Sequence, residues 1–239
     1  MCTLSYLPQP GGFILWHSRD ERRTRAPALP PRVERQGRVS RIAPRDGDLG
    51  GTWTGVNSLG VAVGLANLFL PAPAALPPGK ISRGLLLAGL LDSPSVKEVE
   101  RRVSGADLPR YDGFTLVAMD SSQRPMILRW DRERLLPSHP LGPTLLVTSS
   151  GGGEAFVRAR QRIFDEAAPS GPLDADRIEA LYRTHPAPDA PAICLHHPQA
   201  STVSLTRIEV APSAVSMIYT PGPPCLTPAG TALTVQRET

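Results

Sequence analysis

The sequence predicts an α+β domain with antiparallel sheets. Three observations carry this. Strand-like runs come in hairpin pairs, with turn residues between them. The elements follow the order strands, helices, strands, with no regular alternation of strand and helix. At 239 residues, with 41% hydrophobic and 20% charged residues, the chain suits one domain with a real core. Two sheets sandwiched between helix layers fit the pattern.

Cys2–Leu7 and Phe13–His17 flank Pro8-Gln9-Pro10-Gly11-Gly12, a turn-rich link consistent with a hairpin. Residues 18–50, rich in Arg, Pro and Gly, read as one long loop. Thr52–Val56 and Val61–Leu68 form a second hairpin around Asn57-Ser58-Leu59-Gly60. In its second strand Val61, Val63 and Leu65 alternate with Ala62, Gly64 and Ala66, so one face is bulky and the other suits a close approach. Pro71–Pro78 reads as a loop. Ser82 caps a helix over Arg83–Leu91, and Ser95 caps one over Val96–Val103. Phe114–Asp120 and Met126–Asp131 form a third hairpin, and Thr144–Ser149 a strand. Helices follow over Glu154–Glu166, anchored by Phe156, Ile163 and Phe164, and over Asp174–Tyr182. Ile193–Leu195, Thr202–Val210 and Val215–Tyr219 read as strands. The domain is expected over residues 1–220, with 221–239 a loosely ordered extension.

Composition excludes several classes. The formal net charge is +4, and every basic residue except Lys80 and Lys97 is arginine. The arginines are interleaved with acids, with no aromatic-interleaved basic stripe, so no nucleic-acid partner is expected. No apolar run approaches the roughly 20 residues of a membrane span. Cys2, Cys194 and Cys225 are odd in number and form no CxxC pair, which favours a reducing, cytoplasmic setting.

Cys2 follows Met1, and a small second residue permits removal of Met1. The chain would then begin with a thiol and a free α-amine on one residue. Their reference pKa values are about 8.5 and about 7.7–8.0, so the amine can take the thiol's proton near neutral pH. A buried packing cysteine at the start of a core strand is the other reading.

Cys2, Ser18-Arg19-Asp20-Glu21, Gly50-Gly51-Thr52-Trp53-Thr54-Gly55-Val56-Asn57, Gly64-Leu65-Ala66-Asn67, Ser82-Arg83-Gly84, Tyr111-Asp112-Gly113-Phe114 and Ile193-Cys194-Leu195-His196 occur in that order. Together, over roughly residues 1–210, they resemble the family named for transport and Golgi organisation, also called the NRDE family. The Ile-Cys-x-His segment also resembles the penicillin acyltransferase branch of cysteine N-terminal nucleophile hydrolases. The resemblance implies a four-layer αββα sandwich. It implies that Cys2 is the nucleophile, Asp20 orients the α-amine as in choloylglycine hydrolase relatives, and Asn67 donates to the oxyanion. Without the resemblance, Asn67 reads as a strand-end turn residue and Asp20 as a surface ion pair with Arg19 or Arg23. Arg19, Glu21 and Trp53 are candidate pocket-lining groups. The chain departs from the family pattern at Ser18, which stands where the motif has asparagine. It departs again at Ser149 and Ser150, where hydrolase relatives place a second asparagine, and no arginine after the helix near 154–166 matches their distal arginine.

The activity implied is hydrolysis or acyl transfer on a linear, non-peptide amide or thioester through an acyl-Cys2 intermediate, with no cofactor. The alternative is a carrier of haem or another apolar ligand in the same cleft, since eukaryotic members of the family are linked to haem trafficking and lipid homeostasis. His196 and His197 are adjacent and would point to opposite faces of a strand, so no metal site is expected from them. Cys2, Asp20 and Asn67 should converge on one cleft, Asn67 joining the other two if Val61–Leu68 lies in the same sheet as Phe13–His17 and runs parallel to it.

Overall fold

The computed structural model describes residues 2–70, 79–122, 124–149, 151, 153–168, 173–185 and 192–238. The expected loop at 71–78 and the candidate Ser150 lie outside them.

Thirteen strands are found among the described residues: β1 (Cys2–Gln9), β2 (Gly12–Arg22), β3 (Leu29–Gln36), β4 (Val39–Arg45), β5 (Thr54–Asn57), β6 (Ala62–Asn67), β7 (Phe114–Met119), β8 (Met126–Trp130), β9 (Leu135–Pro137), β10 (Leu145–Thr148), β11 (Ala200–Val210), β12 (Ala214–Thr220) and β13 (Leu233–Gln236). The helices are α1 (Arg83–Ala88), α2 (Val96–Ser104), α3 (Gly153–Ala167) and α4 (Ala175–Arg183). Every pairing is antiparallel. One sheet has the order β10-β1-β2-β11-β12-β13 and the other runs β3 to β9 in chain order.

Three apolar layers fix the stacking. Leu4, Phe13 and Leu15 of the first sheet meet Val56, Ala62, Ala66, Val117 and Met119 of the second. On the outer face of the second sheet, Val63, Leu65 and Leu116 pack on Leu87, Val99 and Val103 of α1 and α2. On the outer face of the first, Ile14 and Trp16 pack on Phe164, Ile178 and Tyr182 of α3 and α4. The result is the αββα sandwich.

The bulky–small alternation of β6 is a layer signal. Its small face abuts the other sheet, and a Cβ at Gly64 would come within 2.5 Å of Leu4 Cδ2 and 3.2 Å of His17 Nδ1. This corrects one expectation: β6 lies in the opposite sheet from β2, facing it across the core. Ser82, Ser95 and Asp174 cap their helices through side chains accepting from Gly84, Glu98 and Arg177 N–H groups.

Three other expectations are corrected. Residues 18–50 are not one loop, because β2 runs on to Arg22 and β3 and β4 form a hairpin. Pro30 and Pro31 masked β3, which sits at the sheet edge, where proline is tolerated. Ile193–Leu195 is not a strand; the segment is a buried bend before a single bridge from His196 to Ser201. Beyond residue 220 the chain is not simply loose, since β13 pairs with β12.

Candidate active site

Pairing of β1 with β2 sets Cys2 opposite Arg19, so Asp20 lies one residue beyond the nucleophile candidate. Alternation sends the neighbours to different layers. Cys2 joins the core between the sheets. Asp20 reaches the helix layer, where its Oδ2 accepts from Arg160 Nη2 at 2.8 Å and its Oδ1 from the Thr202 hydroxyl at 2.6 Å. Both side chains of the Asp20–Arg160 pair are fully buried. The surface pair with Arg19 or Arg23 is thus replaced by an internal one. A bulge in β11 between Thr202 and Ser204, opposite Asp20 and Arg19, falls at this point, where bulges commonly re-aim side chains.

Arg160 is well satisfied. Its Nη1 donates to Thr3 Oγ1 at 2.7 Å, its Nε donates to the Ala192 carbonyl at 3.0 Å, and its guanidinium lies 4.5 Å from the Phe156 ring centroid. Sequence reasoning missed it. The signal was its spacing: Phe156, Arg160 and Phe164 are four apart, which sets an arginine on the apolar stripe of α3. An arginine held there requires a buried anion or acceptor.

A cavity of about 190 Å³ is lined by Cys2, Arg19, Asp20, Glu21, Trp53 and Asn67, with Arg83 and Asp112 on its wall. The structure therefore brings Cys2, Asp20 and Asn67 to one place, with Asn67 arriving from the opposite sheet. Arg19 lies 4.3 Å over the Trp53 ring, and its Nη2 donates to Asp46 Oδ2. Arg25 holds the other Asp46 oxygen at 2.8 Å. Burial works against the Asp46 carboxylate, yet the hydrogen bonds from Arg25 and the Leu49 N–H hold it below its usual range. Glu21 lies 3.6 Å from Arg19 and 3.5 Å from Arg25. The wall is thus a network of alternating charge.

Ser149 is not among the lining groups. Its hydroxyl donates to the Asn67 carbonyl at 2.8 Å, and its N–H donates to the Cys2 carbonyl at 2.8 Å, so it ties the two candidates together from behind. The GGTW segment has a packing role. A Cβ at Gly51 would lie 2.4 Å from the Gly84 carbonyl carbon, and Thr52 N–H donates to Gly84 O at 3.0 Å, so the start of α1 rests directly on this turn. Asn57 is structural: its amide donates to Leu91 O and Ser93 O, and its Oδ1 accepts from the Leu59 and Val61 N–H groups. Arg83 Nη1 donates to Gly113 O at 2.8 Å, which joins two of the motif segments at the cavity wall.

In the chain carrying Met1, burial pushes the Cys2 thiol above its ordinary range. A second cavity of about 390 Å³ shares Glu21 and Asn67 with the first and is lined by Phe69, Phe156, Leu195 and His197. The adjacent histidines thus part company, since His196 lies against Cys194 and Cys225. No helix among the described residues is long and apolar enough to cross a membrane.

Solved structures with this fold include the Caenorhabditis elegans ortholog of N-acylethanolamine-hydrolyzing acid amidase. Its TM-score is 0.62 at 11% identity, covering 87% of this chain and 92% of that one. Conjugated bile acid hydrolase from Clostridium perfringens has TM-score 0.59 at 10% identity, covering 99% and 92%. Penicillin V acylase from Agrobacterium tumefaciens has TM-score 0.56 at 14% identity, covering 99% and 86%. These likenesses establish the αββα fold of N-terminal nucleophile hydrolases. No curated protein matches the chain in sequence. The family model described as Transport and Golgi organisation 2 matches residues 1–157, more than half of the chain, and the chain belongs to that family.

Proposed function

We propose that the protein is a cysteine N-terminal nucleophile hydrolase or acyltransferase acting on a linear, non-peptide amide or thioester. The observation that carries this reading is the convergence of Cys2, Asp20 and Asn67 on one cavity, with Asp20 braced by Arg160 and Thr202. Removal of Met1 gives Cys2 a free α-amine. The amine takes the thiol proton as Sγ attacks the substrate carbonyl carbon, and returns it to the leaving amine or thiol. Asp20, held rigid by two buried donors, fixes the amine. Asn67 donates its amide to the tetrahedral oxyanion. Water or an amine then resolves the acyl-Cys2 intermediate.

The two cavities suggest how a substrate divides. The charged wall of the first suits the polar part beside the carbonyl, and Phe69, Phe156 and Leu195 of the second suit an apolar acyl arm. That apolar chamber is also what an apolar-ligand carrier would use, and it lacks Cys2 among its lining groups. The test is a panel of acyl amides and thioesters given to chain lacking Met1, with Cys2→Ala as control and intact mass as readout. Turnover with a transient acyl adduct on the Cys2 peptide is expected. Ligand binding that is unchanged in Cys2→Ala, with neither turnover nor adduct, would overturn the enzyme reading in favour of the carrier.

A further inference from the structure

The three segments that close the helix layer beside α4 each contribute a soft ligand. His185 lies two residues past the end of α4. Cys194 and His196 belong to the bend leading into β11. Cys225 sits in the turn that follows β12, which Arg183 anchors through Nη1 donating to Pro224 O at 2.7 Å and Thr227 O at 3.3 Å.

These side chains converge. Cys194 Sγ lies 3.4 Å from Cys225 Sγ and 3.5 Å from His196 Nε2, and His196 Nε2 lies 3.0 Å from Cys225 Sγ. The rings of His185 and His196 are 4.6 Å apart between centroids, and the donor atoms of His185, His196 and Cys225 all fall within 4.8 Å of one another. A tetrahedral zinc with bonds of about 2.3 Å to sulfur and about 2.0–2.1 Å to nitrogen spaces its ligands by roughly 3.3–3.8 Å. The cysteine and His196 spacings fall close to that range, and the exposed His185 imidazole, within 4.8 Å of the His196 and Cys225 donor atoms, stands beside them as the fourth ligand. Two thiols and two imidazoles with no carboxylate select a soft or borderline cation over magnesium or calcium.

We propose that His185, Cys194, His196 and Cys225 form a two-cysteine, two-histidine site for zinc. On loading, both thiols give up their protons to solvent, and both histidines bind as neutral imidazoles. With four protein ligands the site has no open position, so its role is structural. Its consequence reaches the candidate active site through the 192–196 bend. Ala192 O accepts from Arg160 Nε, and Leu195 N–H donates to the Thr202 hydroxyl, whose proton goes to Asp20. Zinc at this place pins the segment that supports both partners of Asp20. The proposal does not depend on Cys2 being a nucleophile.

The test uses the full chain without a histidine tag, purified from zinc-supplemented culture and dialysed. Elemental analysis should find about one zinc per chain, in Cys2→Ala as in the unaltered protein. Cobalt exchanged into the unaltered protein should show a thiolate charge-transfer band and tetrahedral ligand-field bands. Cys225→Ser should abolish the charge-transfer contribution of that thiolate, and His196→Ala should lower metal retention. The cobalt spectrum needs no variant, so a misfolded variant does not leave the proposal untested. Zinc content no higher than in chelator-treated protein would overturn it. So would a cobalt spectrum without thiolate bands. A chain isolated under reducing conditions without metal, yet lacking two hydrogens in a peptide linking Cys194 to Cys225, would also overturn it and identify a disulfide instead.

Discussion

Replacing Arg160 with methionine keeps the length of the side chain and most of its packing on Phe156 but removes the charge facing Asp20. Both partners are fully buried and meet at 2.8 Å. The substitution strands the Asp20 carboxylate with the Thr202 hydroxyl at 2.6 Å as its remaining strong donor of those described above. It also takes donors from Thr3 Oγ1 and the Ala192 carbonyl. Breaking one side of a buried pair costs about 3–5 kcal/mol, because the remaining charge is uncompensated. For a chain of this size that is a fall in Tm of roughly 6–20 °C. Urea unfolding of Arg160→Met, Asp20→Asn and the double variant measures it. The double variant should be less destabilised than the sum of the singles by roughly 0.5–3 kcal/mol, the coupling expected of residues in contact. Additive effects, or an Arg160→Met loss below about 0.5 kcal/mol, would refute the claim that this ion pair organises the site.

Intact mass of untagged protein should show Met1 removed; with a retained N-terminal extension, Cys2 should alkylate slowly at neutral pH and faster as pH rises, since burial lifts the thiol's pKa. Asn67→Ala should lower turnover roughly 10²–10³-fold if Asn67 donates to the oxyanion, with unfolding midpoints showing the fold intact. Gly64→Ala should cost about 1–3 kcal/mol in chemical denaturation, because the new methyl meets Leu4 Cδ2 at 2.5 Å in the gap between sheets. His17 is fully buried, and neither ring nitrogen has a hydrogen-bond partner among the described residues. Burial, aided by Arg19, lowers its pKa to about 3. The folded state therefore binds the proton later than the unfolded state. Stability from neutral His17 is complete above about pH 6.5 and falls by roughly 1.4 kcal/mol per pH unit toward pH 3. His17→Leu should flatten that part of the stability–pH curve, and an unchanged slope would contradict it.

The sequence alone determined the local grammar of this protein. Turn residues marked the hairpins, Ser82 and Ser95 marked helix starts, and the small face of Ala62, Gly64 and Ala66 marked a strand pressed against a neighbouring layer. Cys2 and Asp20 were legible as neighbours because antiparallel pairing brings the start of one strand beside the end of the next. Those features depend on residues close in the chain, where periodicity and backbone preference act directly. The β3–β4 hairpin was hidden because an exposed edge strand carries no apolar alternation, and β13 because four residues with a polar face carry little. Asn67's sheet, Arg160's partnership with Asp20 across 140 positions, and the meeting of His185, Cys194, His196 and Cys225 belong to the tertiary structure. A buried ion pair or ligand cluster is set by which layers stack and in what register. That stacking is chosen by the summed burial of three apolar cores and not by any one motif.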